Sequence, residues 1–237
     1  MQSVIKTIRK ELKTIGTEDK RISIRRFFVH EIKVHGVNAA EVKKLAKTYF
    51  AQIMHLPKKE IFDHCELLWQ SGYLEESGIA CEWVKRIHQD LTPADWIVFE
   101  RWVDEYITNW ARCDNFCGGT VGAFLEVYPQ YVRQLRIWAK SANLWKRRAA
   151  AVSLTGPARK GLFHDEVFDI AKILLLDKED MVQKGYGWML KEASNFDQQS
   201  VFQFILQHKA EMPRTSLRYA IEKMPKRMKE RAMKKDK

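Results

Sequence analysis

The sequence is short of turn-forming residues and of long apolar runs. Only 11 glycines and 6 prolines occur among 237 residues, and stretches rich in Lys, Glu, Leu and Ala leave little room for strands. No run of about 18 apolar residues is present, and the first residues lack the long apolar core of a signal peptide. These absences predict an all-α, soluble protein with no transmembrane helix.

Cysteine is also scarce. The four cysteines, Cys65, Cys81, Cys113 and Cys117, include no CxxC pair and do not form a secretory disulfide framework. Cys113 and Cys117 share a helical face, but no histidine lies near them in sequence to complete a zinc site. We therefore expect four buried thiols in a reducing compartment, with no metal site and no cofactor.

Acidic residues are outnumbered by basic ones. Lys and Arg total 41 against 30 Asp and Glu, which gives a net charge of +11. An excess of this size indicates a polyanionic partner, either nucleic acid or an anionic membrane surface, although it could also serve only solubility. The hydrophobic content of 46% excludes a mainly disordered chain. The placement of the cations has to decide between these interpretations.

Apolar residues recur at helical spacing along almost the whole chain. Asn38 is expected to cap a helix because Glu41 follows it at the spacing of a capping box. The segment 155–161, which contains Gly156 and Pro157, is interpreted as a connection. Helices are predicted at about 2–15, 18–30, 39–56, 57–71, 73–89, 93–107, 108–117, 129–140, 143–154, 164–176, 179–194, 197–208 and 213–224.

The end of the chain differs in composition from the rest. From Lys223 onward basic residues dominate, which is typical of a frayed helix or a disordered arm. The length allows one large domain or two small ones. We predict a single HEAT-like repeat domain over residues 1–222 and a basic C-terminal tail over residues 223–237.

Cations recur at nearly constant spacing in the second half of the chain. The intervals are 36, 36 and 34 residues between Arg112, Arg148, Lys184 and Arg218. HEAT units run to about 40–47 residues and tetratricopeptides to about 34, so the period fits helical-pair repeats better than an irregular globule. In a solenoid these cations would line a concave basic groove suited to a duplex backbone. Alternatively, they only solvate their helices.

Trp110 and Asp114 stand four residues apart and share one face if their segment is helical. In an ordinary helix, Trp110 would lie in the core and Asp114 would be a helix-start acid or part of a surface ion pair. The solenoid instead brings them to one side with Arg148 and Trp188. Two indoles and a carboxylate could together bind a cation.

Three segments carry a resemblance to a known family: Asn109-Trp110-x-x-Cys113-Asp114-x-x-Cys117, Ser141-x-Asn143-x-Trp145-x-x-Arg148-Ala149-Ala150 and Gln183-Lys184-x-x-Gly187-Trp188-x-x-Lys191-Glu192. In their order, their separations and the helical layout of nearly the whole chain, the sequence resembles the DNA alkylation repair (AlkD-like) HEAT-repeat DNA glycosylases. The sequence departs from the family at Ala111, where an acid is common. This departure bears on details of the site and leaves the main carboxylate in place.

The resemblance implies excision of cationic bases, such as N3-methyladenine and N7-methylguanine, from duplex DNA. It implies that Trp110 and Trp188 flank the deoxyribose of the lesion, that Asp114 is the catalytic carboxylate, and that Arg148 helps to hold the DNA backbone. Some relatives lack this catalytic set and bind DNA without excision, whereas this sequence keeps the set.

The chemistry of such lesions requires few groups. A purine alkylated at N3 or N7 departs as a neutral molecule, so it needs no general acid, in contrast to the sugar leaving groups of glycosidases. One carboxylate can stabilise the oxocarbenium-like sugar and position a water. None of the seven histidines is assigned a catalytic role.

We therefore predict a monomeric DNA glycosylase of base excision repair, acting on alkylated duplex DNA in a bacterial, nucleoid-associated cytoplasmic setting. Two alternatives belong to other classes. One is a non-catalytic HEAT-repeat module that binds damaged or structured DNA. The other is a protein-interaction solenoid that meets an acidic partner, although such a protein has no need for an acid among its cations.

Overall fold

The computed structural model describes residues 2–234, and helices account for the regular structure within that range. Apart from an isolated parallel bridge between Lys33 and Tyr73, no strand pairing occurs in residues 2–234. The all-α prediction is therefore confirmed. None of the helices in the described range combines the length and the apolarity needed to cross a bilayer.

The chain divides into two compact units, the first of which ends at Asp95. Within the first unit α3 and α4 pack on α5, and α1 packs on α3 and α4. The Asn38 side chain accepts a hydrogen bond from the backbone N–H of Glu41, so the predicted cap is confirmed. The helices of this unit are α1 (Gln2–Ile15), α2 (Glu18–Arg25), α3 (Ala39–Phe50), α4 (Lys58–Gln70) and α5 (Leu74–Arg86).

Helix α2 is shorter than the predicted segment 18–30. It buries none of its residues. Most helical stability in proteins comes from packing an amphipathic face against the core, and α2 has no buried face that would support a longer helix. The sequence pattern overestimated this helix because its charged residues have helical spacing without a core to pack on.

The second unit begins at Trp96 and contains the remaining α-helices. A π-helix (Phe116–Val121) joins α7 to α8, and a 3-10 helix (Pro129–Arg133) precedes α9. The α-helices are α6 (Trp96–Tyr106), α7 (Trp110–Asn115), α8 (Gly122–Val127), α9 (Gln134–Trp138), α10 (Leu144–Val152), α11 (Thr155–Arg159), α12 (His164–Ile173), α13 (Asp180–Ala193), α14 (Gln198–His208), α15 (Arg214–Ala220) and α16 (Lys226–Met233).

Four helices of the second unit pack side by side in chain order and form what we call the α7–α15 row. Helix α7 packs on α10, α10 on α13, and α13 on α15. A Cβ on Gly187 would lie 2.7 Å from the carbonyl oxygen of Ser216, so this glycine lets α13 and α15 approach closely. The four regularly spaced cations fall one on each helix of the row. The helical-repeat prediction is confirmed.

Other segments depart from the prediction or add to it. The supposed connection at 155–161 contains helix α11, because Pro157 is its third residue, and the N–H groups of a first turn need no intrahelical partner. Within the supposed tail, Lys226–Met233 forms α16, where Ala232 is buried and Arg231 lies over the Phe202 ring at 5.7 Å. Residues 235–237 lie outside the described range. The domain boundary at 222 stays a prediction.

Candidate active site

Helix α7 begins at a fixed point because Asn109 caps it. The Asn109 side chain accepts a hydrogen bond from the backbone N–H of Arg112 at 3.0 Å, and Asn109 itself is buried. Trp110 is thus the first residue of α7, and Asp114 follows one turn later. Both side chains are half-buried at the surface. Trp110 is therefore not a core residue, and Asp114 lies near the C-terminal end of α7.

The helical backbone does not stop after Asp114, because the π-helix Phe116–Val121 continues directly into α8. The π-helix that follows α7 adds an unusual backbone to the same place, and π-helical turns are frequent at functional sites. Asp114 is partly buried, and a partly buried carboxylate needs a partner, which α10 supplies.

Arg148 holds Asp114 by a bidentate salt bridge. Its Nη2 donates to both carboxylate oxygens, at 2.8 and 2.9 Å, and its Nε donates to Oδ1 at 3.0 Å. Its Nη1 donates to the backbone carbonyl of Met181 on α13. A Cβ on Gly185 would lie 3.2 Å from the Arg148 Cγ, so a glycine leaves room for the arginine. One guanidinium thus joins α7, α10 and α13.

The two partners differ in exposure. The Arg148 side chain is 6% exposed, whereas the Asp114 side chain is 23% exposed. Burial raises the pKa of Asp114 above its ordinary value, although the charge and the hydrogen bonds of Arg148 act in the opposite direction. The arrangement presents one fixed carboxylate to solvent and keeps its counter-ion inside.

Trp188 lies on α13, one turn beyond the glycine that contacts Arg148. Its indole Nε1 donates to Glu192 Oε1 at 3.1 Å, which orients the ring on the helix surface. The α7–α15 row therefore places Trp110 and Trp188 on helices that also carry contacts of the Asp114–Arg148 pair. The structure joins Asp114 and Arg148 directly; Trp110 lies one turn before Asp114 on α7, and Trp188 lies three residues after Gly185 on α13.

The four cations of the repeat have different environments. Arg218 is exposed on α15, and Lys184 is half-buried with an ion pair to Asp180 at 2.7 Å. Arg112 is 7% exposed, and its guanidinium donates to the Tyr106 carbonyl. Arg112 lies two residues from Asp114 and so points away from it, since residues i and i+2 of a helix do not face each other.

Sequence reasoning missed two features of this site. It did not pair Asp114 with Arg148, although their separation of 34 residues matches the repeat period. It also gave no role to Glu192, although an acid four residues after a tryptophan on a helix is within reach of the indole N–H. The four cysteines are free and buried, as predicted.

Comparisons with known proteins agree with this architecture. No match was found among curated proteins. The fold is similar to that of a solved chain described as a "Predicted DNA alkylation repair enzyme from Enterococcus faecalis", with a TM-score of 0.80 and 16% identity, covering 89% of this chain and 97% of the other. The family model described as DNA alkylation repair enzyme matches residues 8–224. The chain belongs to the DNA alkylation repair enzyme family.

Proposed function

We propose that this protein is a DNA glycosylase that releases cationic alkylated purines, such as N3-methyladenine and N7-methylguanine, from duplex DNA. Family membership supports a role in DNA alkylation repair, with DNA as the partner. The observation that carries the finer proposal is the solvent-facing carboxylate of Asp114, held by a buried arginine between two helices that each present a tryptophan.

The reaction that fits this site is loss of a base that already carries a positive charge. As the glycosidic bond breaks, positive charge moves from the base to the sugar, and a preorganised carboxylate stabilises that charge where it develops. The indole faces of Trp110 and Trp188 add attraction for a cation, about 0.5–2 kcal/mol each. Asp114 then orients the water that attacks the anomeric carbon. The departing base is neutral and needs no proton.

Arg148 has a positioning role in this proposal. A phosphate contact by its buried guanidinium would require it to leave Asp114, which would leave that half-buried carboxylate unpaired. We assign the contacts to the DNA backbone to the surface cations Lys184 and Arg218. We leave out Arg112, because its guanidinium is buried against α6.

The decisive experiment is to incubate methylated duplex DNA with excess protein and to measure the free N7-methylguanine that is released. Release above the spontaneous rate supports the glycosylase. Binding of the same duplex without release would support the alternative, a non-catalytic DNA-binding module.

The pH dependence of excision should report the raised pKa of Asp114. Because only the ionised carboxylate stabilises the sugar cation, the rate should fall as pH drops through that pKa, about tenfold per unit below it. The acid limb should lie above the ordinary Asp value of about 3.9. Single-turnover rates at subsaturating protein, corrected for spontaneous depurination, measure this limb.

A variant of the arginine tests the assignment of that limb. Arg148→Gln removes the contributions that lower the pKa of Asp114, so it should move the acid limb to higher pH. Asp177→Asn removes a neighbouring ion pair with Arg147 and should leave the limb in place. If the acid limb lay at the same pH in Arg148→Gln as in the wild type, the titrating group would not be Asp114.

Surface cations should set the salt dependence of DNA binding. If Arg218 contacts one phosphate, Arg218→Ala should reduce the slope of log affinity against log salt by about 0.9 on duplex DNA, because one counterion fewer is released. Lys184→Ala should act similarly. Lys172→Ala, at an exposed position on α12 outside the α7–α15 row, is the control and should leave the slope unchanged. If the salt slope were unchanged in both Arg218→Ala and Lys184→Ala, these cations of the α7–α15 row would not contact the DNA backbone.

A further inference from the structure

Glu192 is a nearly buried carboxylate that gathers several donors around Trp188. It is 3% exposed. Its oxygens accept hydrogen bonds from Trp188 Nε1 at 3.1 Å, Arg159 Nε at 2.6 Å, Lys223 Nζ at 3.3 and 3.4 Å, and Asn195 Nδ2 at 3.1 Å. A nearly buried carboxylate with this many partners is held in place, because moving it would break several hydrogen bonds at once.

The donors come from successive parts of the second unit. Arg159 is the last residue of α11, and Lys223 lies between α15 and α16, so Glu192 of α13 connects three segments. Burial raises the pKa of Glu192, but the bonds from Arg159 and Trp188 and the charges of the two cations outweigh it and lower that pKa below its ordinary value. The carboxylate is therefore a fixed anion at neutral pH.

Trp188 itself has limited means of fixing its ring. It is half-buried, so part of the side chain is open to solvent. A tryptophan side chain turns about two bonds, and its polar N–H is the handle by which a partner can set the ring orientation. Glu192 follows Trp188 by four residues on α13, so its carboxylate lies within reach of the indole N–H.

We propose that Glu192 is a positioning residue, which fixes the orientation of the Trp188 indole so that its face meets the sugar of the damaged nucleotide. The role of that face rests on the proposed function, whereas the fixing of the ring does not. Arg159 and Lys223 act by holding the carboxylate, and through it the indole, in place.

The ion pair made by the residue before Glu192 lacks this connection. Lys191 pairs with Glu222 at 3.0 Å, which also links α13 to the segment after α15, but Glu222 is 58% exposed and makes no bond to an indole. Loss of Glu222 removes an exposed link between α13 and the segment after α15 and leaves the bond between Glu192 and Trp188 in place. This makes Glu222→Gln the matched control.

The first measurement follows the ring in the free protein. With 5-fluorotryptophan incorporated and the Trp188 signal assigned by Trp188→Phe, Glu192→Leu should shift and broaden the ¹⁹F resonance of Trp188. Glu192→Gln should leave it close to that of the wild type, because the amide oxygen still accepts the indole N–H. Glu222→Gln should not move it. Arg159 and Lys223 side chains are 61% and 41% exposed, so water can solvate them when the carboxylate is removed, and the fold is retained.

The second measurement is the single-turnover release of N7-methylguanine at saturating protein. Glu192→Leu should slow it about 10- to 100-fold, because misplacement of a contact group by a fraction of an ångström has effects of that order. Affinity for undamaged duplex should change less than twofold, and Glu192→Gln should recover most of the rate.

An unmoved Trp188 resonance in Glu192→Leu would overturn the proposal, whatever the activity. A moved resonance with a rate equal to that of Glu222→Gln would also overturn it, since the ring orientation would then have no bearing on excision. If the wild-type protein released no base, the proposed function would fall, while the ¹⁹F comparison would still decide whether Glu192 fixes the ring.

Discussion

Asp114→Asn is expected to release N7-methylguanine at least about 100-fold more slowly than the wild type, the order found when one preorganised electrostatic group is removed from an active site. Asparagine keeps the size of the side chain and an oxygen that accepts from Arg148, but it removes the negative charge that stabilises the sugar cation. Affinity for duplex DNA should persist or rise slightly, because one anion that repels the phosphates is gone. Single-turnover release and duplex binding, measured on the same preparation, check this prediction.

The same substitution also affects stability. It leaves the guanidinium of Arg148 buried without a charged partner, and breaking a buried ion pair costs about 3–5 kcal/mol. Asp177→Asn is the matched control, because Asp177 accepts two hydrogen bonds from Arg147, the neighbouring residue of α10, at 2.6 and 3.3 Å. It should lower the thermal midpoint comparably and leave excision within a few-fold of the wild type. Wild-type release by Asp114→Asn would rule out the one-carboxylate mechanism.

Selectivity for charged leaving groups should be the second large effect. In the proposed mechanism a carboxylate and two indoles act on the sugar and no acid acts on the base, so the rate should depend on a base that is already cationic. N7-methylguanine should leave at least about 100-fold faster than hypoxanthine or uracil, since general acid catalysis contributes about 10²–10⁴-fold where a base needs it.

The test uses duplexes of one sequence that carry each lesion at the same position, with abasic-site formation followed under single-turnover conditions. Binding of all three duplexes is measured alongside, so that a slow release is not mistaken for weak binding. Efficient release of uracil or hypoxanthine would require a general acid in the site, and the mechanism would then need a second titrating residue. The hypoxanthine duplex is the stricter comparison, because hypoxanthine is a purine of similar shape to the cationic lesions.

Periodicity predicted most of the fold correctly because its causes are local. The helical spacing of apolar residues and the Asn38 cap depend on contacts within one helix. The repeat of cations at about 36 residues depends on the packing of neighbouring helices. The prediction was wrong where a local signal has two meanings. Pro157 ends many helices but is accepted in a first turn. For the C-terminal segment a frayed helix was one of two expectations, and α16 forms there, but the basic composition did not reveal that Ala232 would be buried.

For the candidate site, the sequence by itself determined the residue types and the helices that carry them, because Trp110 and Asp114 on α7 and Trp188 on α13 follow from spacing alone. Only the tertiary structure decided which charges meet. A separation of 34 residues sets which helix is the neighbour, but the packing angle sets which side chains touch. Packing paired Arg148 with Asp114, turned Arg112 inward and brought Arg159 and Lys223 to Glu192, because burial makes each of these charges depend on a partner from another helix.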